Sequence, residues 1–333
     1  MAAVNRHNGG FAPAYGADQL TKAVSARFCE VFEAEVEVHF VASGTAANAV
    51  SMAATARPGG LVFCSSEAHI NLDEWGATEF FTGGMKLVPM PCAAGLVAAE
   101  TLRAALARYL EGGRFGQPVA LSLTQASECG TVYGIDHLRA LTGIARAAGL
   151  TTHMDGARFG NAVAALGVAP AEITWKSGID ILSFGGTKNG CLGAEAVVVF
   201  NPRRCRDLPA IRQRAGHVMS KARFVAAQFE GYFEDGNWLA TARHANGMAT
   251  RLREGILGCS AARLGWPSEA NEVFAILPKA TIALLRADGA TLYEWPAESL
   301  PRSDRPGEGE DLVRLVTSFA TTAAEVERFL GYL

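Results

Sequence analysis

The chain has 333 residues, 49% hydrophobic and 19% charged, which suffices for one large core with a smaller appended domain and is too apolar for a disordered protein. Its 30 Lys and Arg residues and 33 Asp and Glu residues give a net charge of −3 without any block of like charge, which argues against nucleic acids and anionic membranes as partners. The first residues lack the pattern of a signal peptide, and the sequence has no apolar run of about 18 residues and no C-x-x-C pair among its scattered cysteines. We therefore expect a cytoplasmic protein with reduced thiols.

Short β-branched or apolar segments alternate with Ala-rich amphipathic segments from about Glu37 to Phe200. This alternation is typical of parallel strands joined by crossover helices. We predict strands at residues 36–42, 61–64, 86–90, 119–124, 151–155, 180–184 and 196–200. We predict helices after Thr45, from Glu100 to Leu110 and from Asp136 to Ala148, with Asp136 as the N-cap. The fold class is therefore α/β, with a large, mostly parallel, seven-stranded sheet that binds ligands at its strand C-termini.

The remainder of the chain has a different pattern. We predict a long helical stretch at 203–257, strands at 273–277 and 312–319, a surface loop at 301–311 and a terminal helix from Thr322. We accordingly divide the chain into an N-terminal helical segment (1–34), a large domain that carries the site (35–245) and a small C-terminal α+β domain (246–333).

The first candidate site is the segment 42–48, where a strand runs into a turn of small residues that opens a helix. Backbone N–H groups at the helix start, with the hydroxyls of Ser43 and Thr45, could hold a phosphate dianion. The alternative is that Thr45 simply caps the helix. The segment is neither a Walker loop nor a dinucleotide fingerprint, because both the Gly-Lys-Ser/Thr end and the G-x-G-x-x-G spacing are missing.

Two further clusters lie at predicted strand ends. The sequence HMDGAR (153–158) places Asp155 where a buried carboxylate needs a partner, and SFGGTKNG (183–190) places Lys188 after glycines that allow close approach to a ligand. Alone, the first could be a salt-bridged strand end and the second a surface lysine. Together, a phosphate cup, an Asp and a Lys in this order are the set that pyridoxal phosphate requires.

The sequence resembles, over nearly its whole length, the threonine aldolase and β-eliminating lyase family of fold-type-I pyridoxal-phosphate enzymes, and within it the low-specificity L-threonine aldolases. The segments that carry the resemblance are AYGADQLT (14–21), SGTAANA (43–49), SSEAHINLDEWGATEFF (65–81), TQASECGTVY (124–133), HMDGARFGNA (153–162), FGGTKNG (184–190) and RLVTSFATT (314–322). The resemblance implies pyridoxal 5′-phosphate as cofactor, a transferase-like fold with the cofactor in the large domain, and a homotetramer or dimer whose sites lie at the subunit interface.

The resemblance also implies roles for individual residues. Lys188 would form the Schiff base with the cofactor, Asp155 would pair with the pyridine nitrogen and keep the ring an electron sink, and Arg158 would lie by the phenolic oxygen. The phosphate would be held by Ser43, Gly44 and Thr45, assisted by Thr187, with residues of a second subunit completing the site.

Three more residues match positions that act on the substrate. His69 would stack on the cofactor ring and transfer protons, and Arg314 would bind the α-carboxylate, a task suited to a planar two-pronged donor. The base that removes the β-hydroxyl proton is His69, Glu128 or a water that they hold, and the sequence does not rank them. No cluster requires a metal.

The activity that the resemblance implies is retro-aldol cleavage of L-threonine and L-allo-threonine to glycine and acetaldehyde, with tolerance for other β-hydroxy-α-amino acids. Alternatives are another β-eliminating lyase or a racemase, a phenylserine-type aldolase, or a catalytically silent homologue. A nicotinamide-dependent enzyme is disfavoured, because the glycine fingerprint is missing.

Two departures from the family pattern stand out. The chain begins downstream of the family's Ser-Asp-Asn segment and retains only the later stretch Ala14–Gly16, so we expect a truncated chain with weakened binding of substrate or cofactor. Glu128 stands where many threonine aldolases carry a histidine, which we interpret as the mark of a subgroup.

Overall fold

A seven-stranded sheet forms the centre of the structure, a computed structural model that describes residues 1–110, 116–298 and 300–333. Its strands are β1 (Glu37–Val41), β2 (Gly60–Ser65), β3 (Lys86–Met90), β4 (Gln117–Thr124), β5 (Thr151–Gly156), β6 (Ile181–Gly185) and β7 (Glu195–Val199). They lie in the order β1-β7-β6-β5-β4-β2-β3. Each predicted strand of this region is present, and the predicted α/β class with a mostly parallel sheet is confirmed.

The strand directions bring the chemistry to one edge of the sheet. β3, β2, β4, β5 and β6 pair in parallel, whereas β7 runs antiparallel to both β6 and β1. The register aligns Thr124 with Asp155 and Asp155 with Ser183. The carboxyl ends of β4, β5 and β6 therefore meet at the same level, as expected where an open α/β sheet binds its ligand.

Helices cover the large sheet and continue beyond it. They are α1 (Ala2–Arg6), α2 (Gln19–Phe32), α3 (Gly44–Ala53), α4 (His69–Leu72), α5 (Ala77–Phe81), α6 (Ala99–Leu110), α7 (Ile135–Ala147), α8 (Phe159–Leu166), α9 (Leu208–Arg214), α10 (Arg223–Phe233) and α11 (Asn237–Leu257). Among the described residues, no helix combines the length and apolar character needed to cross a membrane.

Three helix predictions need correction. Asp136 lies in the first turn of α7, whose N-cap is Gly134, so its carboxylate interacts with the helix dipole rather than capping the helix. The cap of α3 is Ser43 and not Thr45, because the Ser43 hydroxyl accepts a hydrogen bond from Ala46 N at 3.2 Å. The predicted helical stretch at 203–257 is interrupted twice, at Gly216 and Gly236, whose positive φ values of 76° and 71° leave the helical region.

A four-stranded antiparallel sheet follows, consisting of β8 (Arg263–Leu264), β9 (Glu272–Pro278), β10 (Tyr293–Glu294) and β11 (Glu310–Val316), with α12 (Lys279–Ala287) and α13 (Ala323–Leu330). β11 begins inside the predicted loop 301–311 and ends at Val316, earlier than predicted. It ends there because Thr317 N bonds Asn271 O, after which a Ser318–Thr321 turn leads to the capping box of α13 at Thr322.

Helix α11 links the two sheets, and the predicted domain boundary at residue 245 lies within it. Its Asn246 exchanges two hydrogen bonds of 2.9 Å with Asn161 of α8, which packs under the large sheet. At the preceding residue, Ala245 O accepts from the Thr317 hydroxyl at 2.7 Å, just past the end of β11. The same helix is therefore fastened to both parts of the molecule.

Aromatic rings form the centre of the larger core, between the sheet, α2 and α10. Phe28 is fully buried, and its ring lies 5.2 Å from that of Phe184 and 4.9 Å from that of Phe233, both edge-on. Such edge-to-face pairs add to the free energy of burying the rings. This cluster fixes the long N-terminal helix α2 against the sheet.

We expect Phe28→Ala to lower the free energy of unfolding by about 3–5 kcal/mol, because the cavity lies inside a rigid aromatic cluster. Urea unfolding followed by circular dichroism measures the change. Leu284→Ala is the control, since Leu284 is 57% exposed and its loss should cost no more than about 0.5 kcal/mol. Equal losses in the two variants would contradict the assignment of this core.

Candidate active site

The predicted lysine follows β6 on a short turn that its neighbours hold in place. Asn189 is buried, and its amide donates to the Tyr232 hydroxyl and to Trp238 O, both at 2.8 Å. A side chain at Gly185 would place its Cβ 2.6 Å from Ala157 O, so only glycine permits this approach of two chain segments. Lys188 itself is exposed at the edge of the sheet where β5 and β6 end.

Asp155 lies at the end of the neighbouring strand β5, almost completely buried. One carboxylate oxygen accepts from Ala157 N at 3.0 Å, and the other accepts from the Asn48 amide at 2.8 Å. Both bonds fix the orientation of the carboxylate. Asn48 belongs to α3, so this hydrogen bond ties the strand end to the helix that follows the small-residue turn.

A second carboxylate shares the same amide. Asn48 also donates to Glu74 Oε1 at 2.8 Å, and this oxygen lies 2.8 Å from His69 Nδ1. The hydrogen bond to Glu74 raises the pKa of His69, and the carboxylates of Glu128 and Asp155 raise it further. Burial raises the pKa of Glu74 although its two hydrogen bonds oppose this. His69 and Glu74 thus form a hydrogen-bonded pair that Asn48 links to Asp155.

The turn at Ser43–Thr45 has the form of an anion site. Ser43 is exposed and Gly44 and Thr45 are half-buried at the start of α3. The first N–H groups of a helix have no partner within it, and the helix dipole favours an anion there. The Ser43 hydroxyl already accepts from Ala46 N, but it keeps its own proton for donation to a ligand.

The lysine turn rests on another buried carboxyl group. Glu195 begins β7, pairs across the sheet with Gly185, and accepts a hydrogen bond from Thr187 N at 3.3 Å. Burial raises the pKa of Glu195 to about 7, although the bonds from Thr187 and the charge of Lys188 oppose the shift. The Thr187 hydroxyl accepts a hydrogen bond from Ala194 N at 3.1 Å, which joins the two ends of the loop between β6 and β7.

His153 has a structural role in the same strand. Its two ring nitrogens lie 2.9 Å from the hydroxyls of Ser122 and Ser183 on the flanking strands. Complete burial lowers the pKa of His153 to about 4, so the ring is neutral at physiological pH. It therefore fastens three strands together.

Two arginines and two glutamates meet beside these groups. Arg158 Nη2 lies 2.9 Å from Glu272 Oε1, and Arg158 Nη1 lies 3.9 Å from Glu128 Oε2. Arg314, from β11 of the small sheet, places Nη1 3.8 Å from the same Glu272 oxygen. The Arg314 guanidinium also lies 5.0 Å from the ring centre of Trp295. The predicted Arg158, Arg314 and Glu128 are thus brought together across the two sheets.

Four residues of this site were not predicted from the sequence: Asn48, Glu74, Glu195 and Glu272. The first two lie in the segments 43–49 and 65–81, which carry the family resemblance. The other two begin strands that are otherwise apolar. A carboxylate in such a position indicates a buried group that needs a partner or has a function.

Several buried polar atoms of the site have no hydrogen-bond partner, which is unusual in a folded protein. Among the described residues they are Glu74 Oε2, Glu128 Oε1, both Glu272 oxygens and Arg314 Nε. No group of three or more His, Cys, Asp and Glu side chains in the described ranges is arranged to hold a metal ion. The site thus has spare hydrogen-bonding capacity suited to a polar organic ligand.

Comparisons with known proteins agree with this arrangement. The model of the family described as β-eliminating lyase matches residues 3–278. A low specificity L-threonine aldolase of Pseudomonas aeruginosa is 42% identical over 297 residues, covering 89% of this chain and 86% of that protein. A second, from Pseudomonas sp., is 40% identical over 294 residues, covering 88% and 85%. The solved threonine aldolase of Leishmania major superposes with a TM-score of 0.90 at 28% identity, covering 99% of this chain and 93% of that one.

Glu195 provides a prediction about stability and pH. Because the pKa of Glu195 rises from near 4.5 to about 7 on folding, the folded state binds an extra proton between these pH values, and stability falls as the pH rises through that window. Glu195→Gln keeps an acceptor for Thr187 N but cannot ionise. We expect the variant, relative to wild type, to gain about 2 kcal/mol of unfolding free energy between about pH 5 and about pH 8.

Urea unfolding of the cofactor-free protein at both pH values measures this difference. The matched control is Glu308→Gln, which removes an exposed carboxylate and should follow the wild-type pH dependence. A Glu195→Gln variant that also follows the wild-type curve would show that Glu195 is ionised in the folded protein.

Proposed function

The chain belongs to the β-eliminating lyase family, and on that basis we propose that it is a pyridoxal-phosphate-dependent L-threonine aldolase. This lyase would cleave L-threonine and L-allo-threonine to glycine and acetaldehyde and accept related β-hydroxy-α-amino acids. The observation that carries the proposal is Lys188 beside the hydrogen-bonded carboxylate of Asp155, at the ends of adjacent strands.

The residues present fit pyridoxal phosphate. Asp155 would accept a hydrogen bond from the protonated pyridine nitrogen, Lys188 would hold the cofactor covalently, and Ser43, Gly44 and Thr45 would bind its phosphate at the start of α3. When bound, the cofactor supplies an electron sink for the pair released by the broken Cα–Cβ bond. Asn48 would keep Asp155 oriented, while Thr187 would support the phosphate end and Arg158 would lie by the phenolic oxygen.

Arg314 would bind the α-carboxylate of the amino acid. Its guanidinium is oriented by the rings of Trp295 and Tyr293, at 5.0 and 5.7 Å, and its Nε has no hydrogen-bond partner in the part of the chain that the structure describes. A planar cation held in this way can present two parallel N–H groups to a carboxylate. A fixed carboxylate in turn orients the substrate so that the bond to Cβ can be broken.

Proton transfer would fall to His69 and Glu128. The Glu74 hydrogen bond holds the His69 ring and raises its pKa, which suits a group that takes the β-hydroxyl proton near neutral pH. Glu128 is buried, with one oxygen near Arg158 and the other without a partner. Such a carboxylate could accept a hydrogen bond from the hydroxyl and orient it toward the base.

We also propose a homo-oligomer in the cytoplasm, whose neighbouring subunit completes the site. Exposed apolar side chains that follow His69 in the sequence support the proposed oligomer, since Trp75 is 102% and Phe80 78% exposed. The seven free cysteines are consistent with a reducing compartment.

Lys188 should be essential for the proposed activity. Protein loaded with pyridoxal phosphate should release acetaldehyde from L-allo-threonine and L-threonine, and Lys188→Ala should lower kcat at least about 10³-fold, since the covalent attachment and the amine are both lost. Lys86→Ala, at an exposed position of β3, is the control and should keep wild-type activity. Absence of acetaldehyde from wild-type protein that binds the cofactor would refute the proposal, and another product would indicate a different lyase.

The pH dependence of activity can distinguish His69 from Glu128 as the base. Glu74→Gln removes the carboxylate that raises the pKa of His69, so the acidic limb of kcat/KM should move to lower pH. The measurement is acetaldehyde release across the pH range for wild type, Glu74→Gln and Glu128→Gln. An acidic limb that is unchanged in Glu74→Gln and lost in Glu128→Gln would assign the base to Glu128.

A further inference from the structure

Glu272 is the most deeply buried charged side chain of the site and has no role in the mechanism above. It begins β9 of the small sheet, and its side chain is completely inaccessible to solvent. One of its oxygens lies 2.9 Å from Arg158 Nη2 and 3.8 Å from Arg314 Nη1. A single buried oxygen atom is therefore shared by the two guanidinium groups.

The contact is electrostatic and leaves the arginine donors free. Neither oxygen of Glu272 receives an aligned hydrogen bond, and among the described residues neither guanidinium donates one. The single negative charge of Glu272 thus reduces the repulsion between two neighbouring cations without an aligned hydrogen bond to either of them. Their N–H groups remain available for a carboxylate.

Arg158 has a competing partner on its other side. Glu128 Oε2 lies 3.9 Å from Arg158 Nη1, too far for a hydrogen bond, and Glu128 Oε1 is buried without a partner. Buried ions move toward any available counter-ion, and an Arg–carboxylate pair tends to become bidentate. The closer Glu272 carboxylate, at 2.9 Å from Arg158 Nη2, attracts the guanidinium away from Glu128.

We propose that Glu272 is a positioning residue that keeps Arg158 beside Arg314 and away from Glu128. In that position Arg158 can join Arg314 in binding the carboxylate of the amino acid, in addition to its contact with the phenolic oxygen. The inference rests on the proposed function, because it takes an amino acid as the ligand. It also explains why a carboxylate is buried at this strand start, where an apolar residue would be less costly.

Two effects of removing the Glu272 charge oppose each other. The site becomes more positive, which favours an incoming carboxylate, but Arg158 is released to pair with Glu128. The second effect dominates, because the Glu128 carboxylate is permanently present within 3.9 Å, whereas the ligand must come from solution. We therefore expect weaker binding when Glu272 is neutralised.

The test uses glycine, whose binding needs the carboxylate contacts but no bond cleavage. Glycine is titrated into protein loaded with pyridoxal phosphate, and the change in visible absorbance gives its Kd. In Glu272→Gln the Kd should rise at least about tenfold. In the double variant Glu272→Gln/Glu128→Gln, Arg158 has lost its competing partner. The increase in log Kd caused by Glu272→Gln should therefore be reduced by at least about a third.

The control is Glu269→Gln, which removes an exposed carboxylate three residues earlier on the same loop and should leave the glycine Kd within about twofold of wild type. An unchanged or lower Kd in Glu272→Gln would overturn the inference. So would a double variant that binds no better than Glu272→Gln, because a merely structural role would not be relieved by removing Glu128.

Folding of each variant is checked by thermal unfolding. If Glu272→Gln does not fold, Glu272→Asp replaces it, since the retracted but still charged carboxylate should raise the glycine Kd about threefold, and an unchanged Kd would refute the role. Glycine binding that responds as described in a protein that releases no acetaldehyde would refute only the proposed function. Acetaldehyde release with a glycine Kd insensitive to Glu272 would refute only the positioning role.

Discussion

Burying carboxylates beside the carboxyl ends of the parallel strands, from both sheets, is the constraint on which this site depends. Asp155, Glu195 and Glu272 are each at most 5% exposed, and a buried carboxylate is tolerated only with a cation, hydrogen-bond donors or a bound proton. The protein uses all three solutions. Asp155 has two donors, Glu272 has two guanidinium groups, and Glu195 holds a proton up to a pKa of about 7.

These different solutions give chemically similar groups different tasks. Asp155 has two hydrogen-bond donors that orient it for a ring nitrogen, whereas the hydrogen bond to Glu74 raises the pKa of His69 and suits the pair to proton transfer. One amide, that of Asn48, donates to both Asp155 and Glu74 and so sets their spacing. The difference between the two carboxylates arises from their surroundings, since their own chemistry is nearly the same.

Local patterns predicted the fold better than the site. The seven strands were visible because buried parallel strands form short β-branched runs, and the motifs at Asp155 and Lys188 lie at strand ends, where the sequence marks them. Caps were less predictable: Ser43 and Thr45 are equally able to cap a helix, and only the backbone geometry decides between them. Glu272 could not be assigned, because its partners Arg158 and Arg314 lie far away in the sequence and meet it only after both sheets have formed.

Helix α11 has a mechanical consequence for catalysis. It is 21 residues long, is bonded to Asn161 under the large sheet and, through Ala245, to Thr317 at the end of β11. Swinging the small sheet away from the large one would require bending this helix or breaking its buried amide pair. The distance between Lys188 and Arg314 is therefore constrained, because one continuous helix is bonded to both parts of the molecule. Substrates of different length would then be accommodated by side-chain rearrangement near Cβ and not by movement of the small sheet relative to the large sheet.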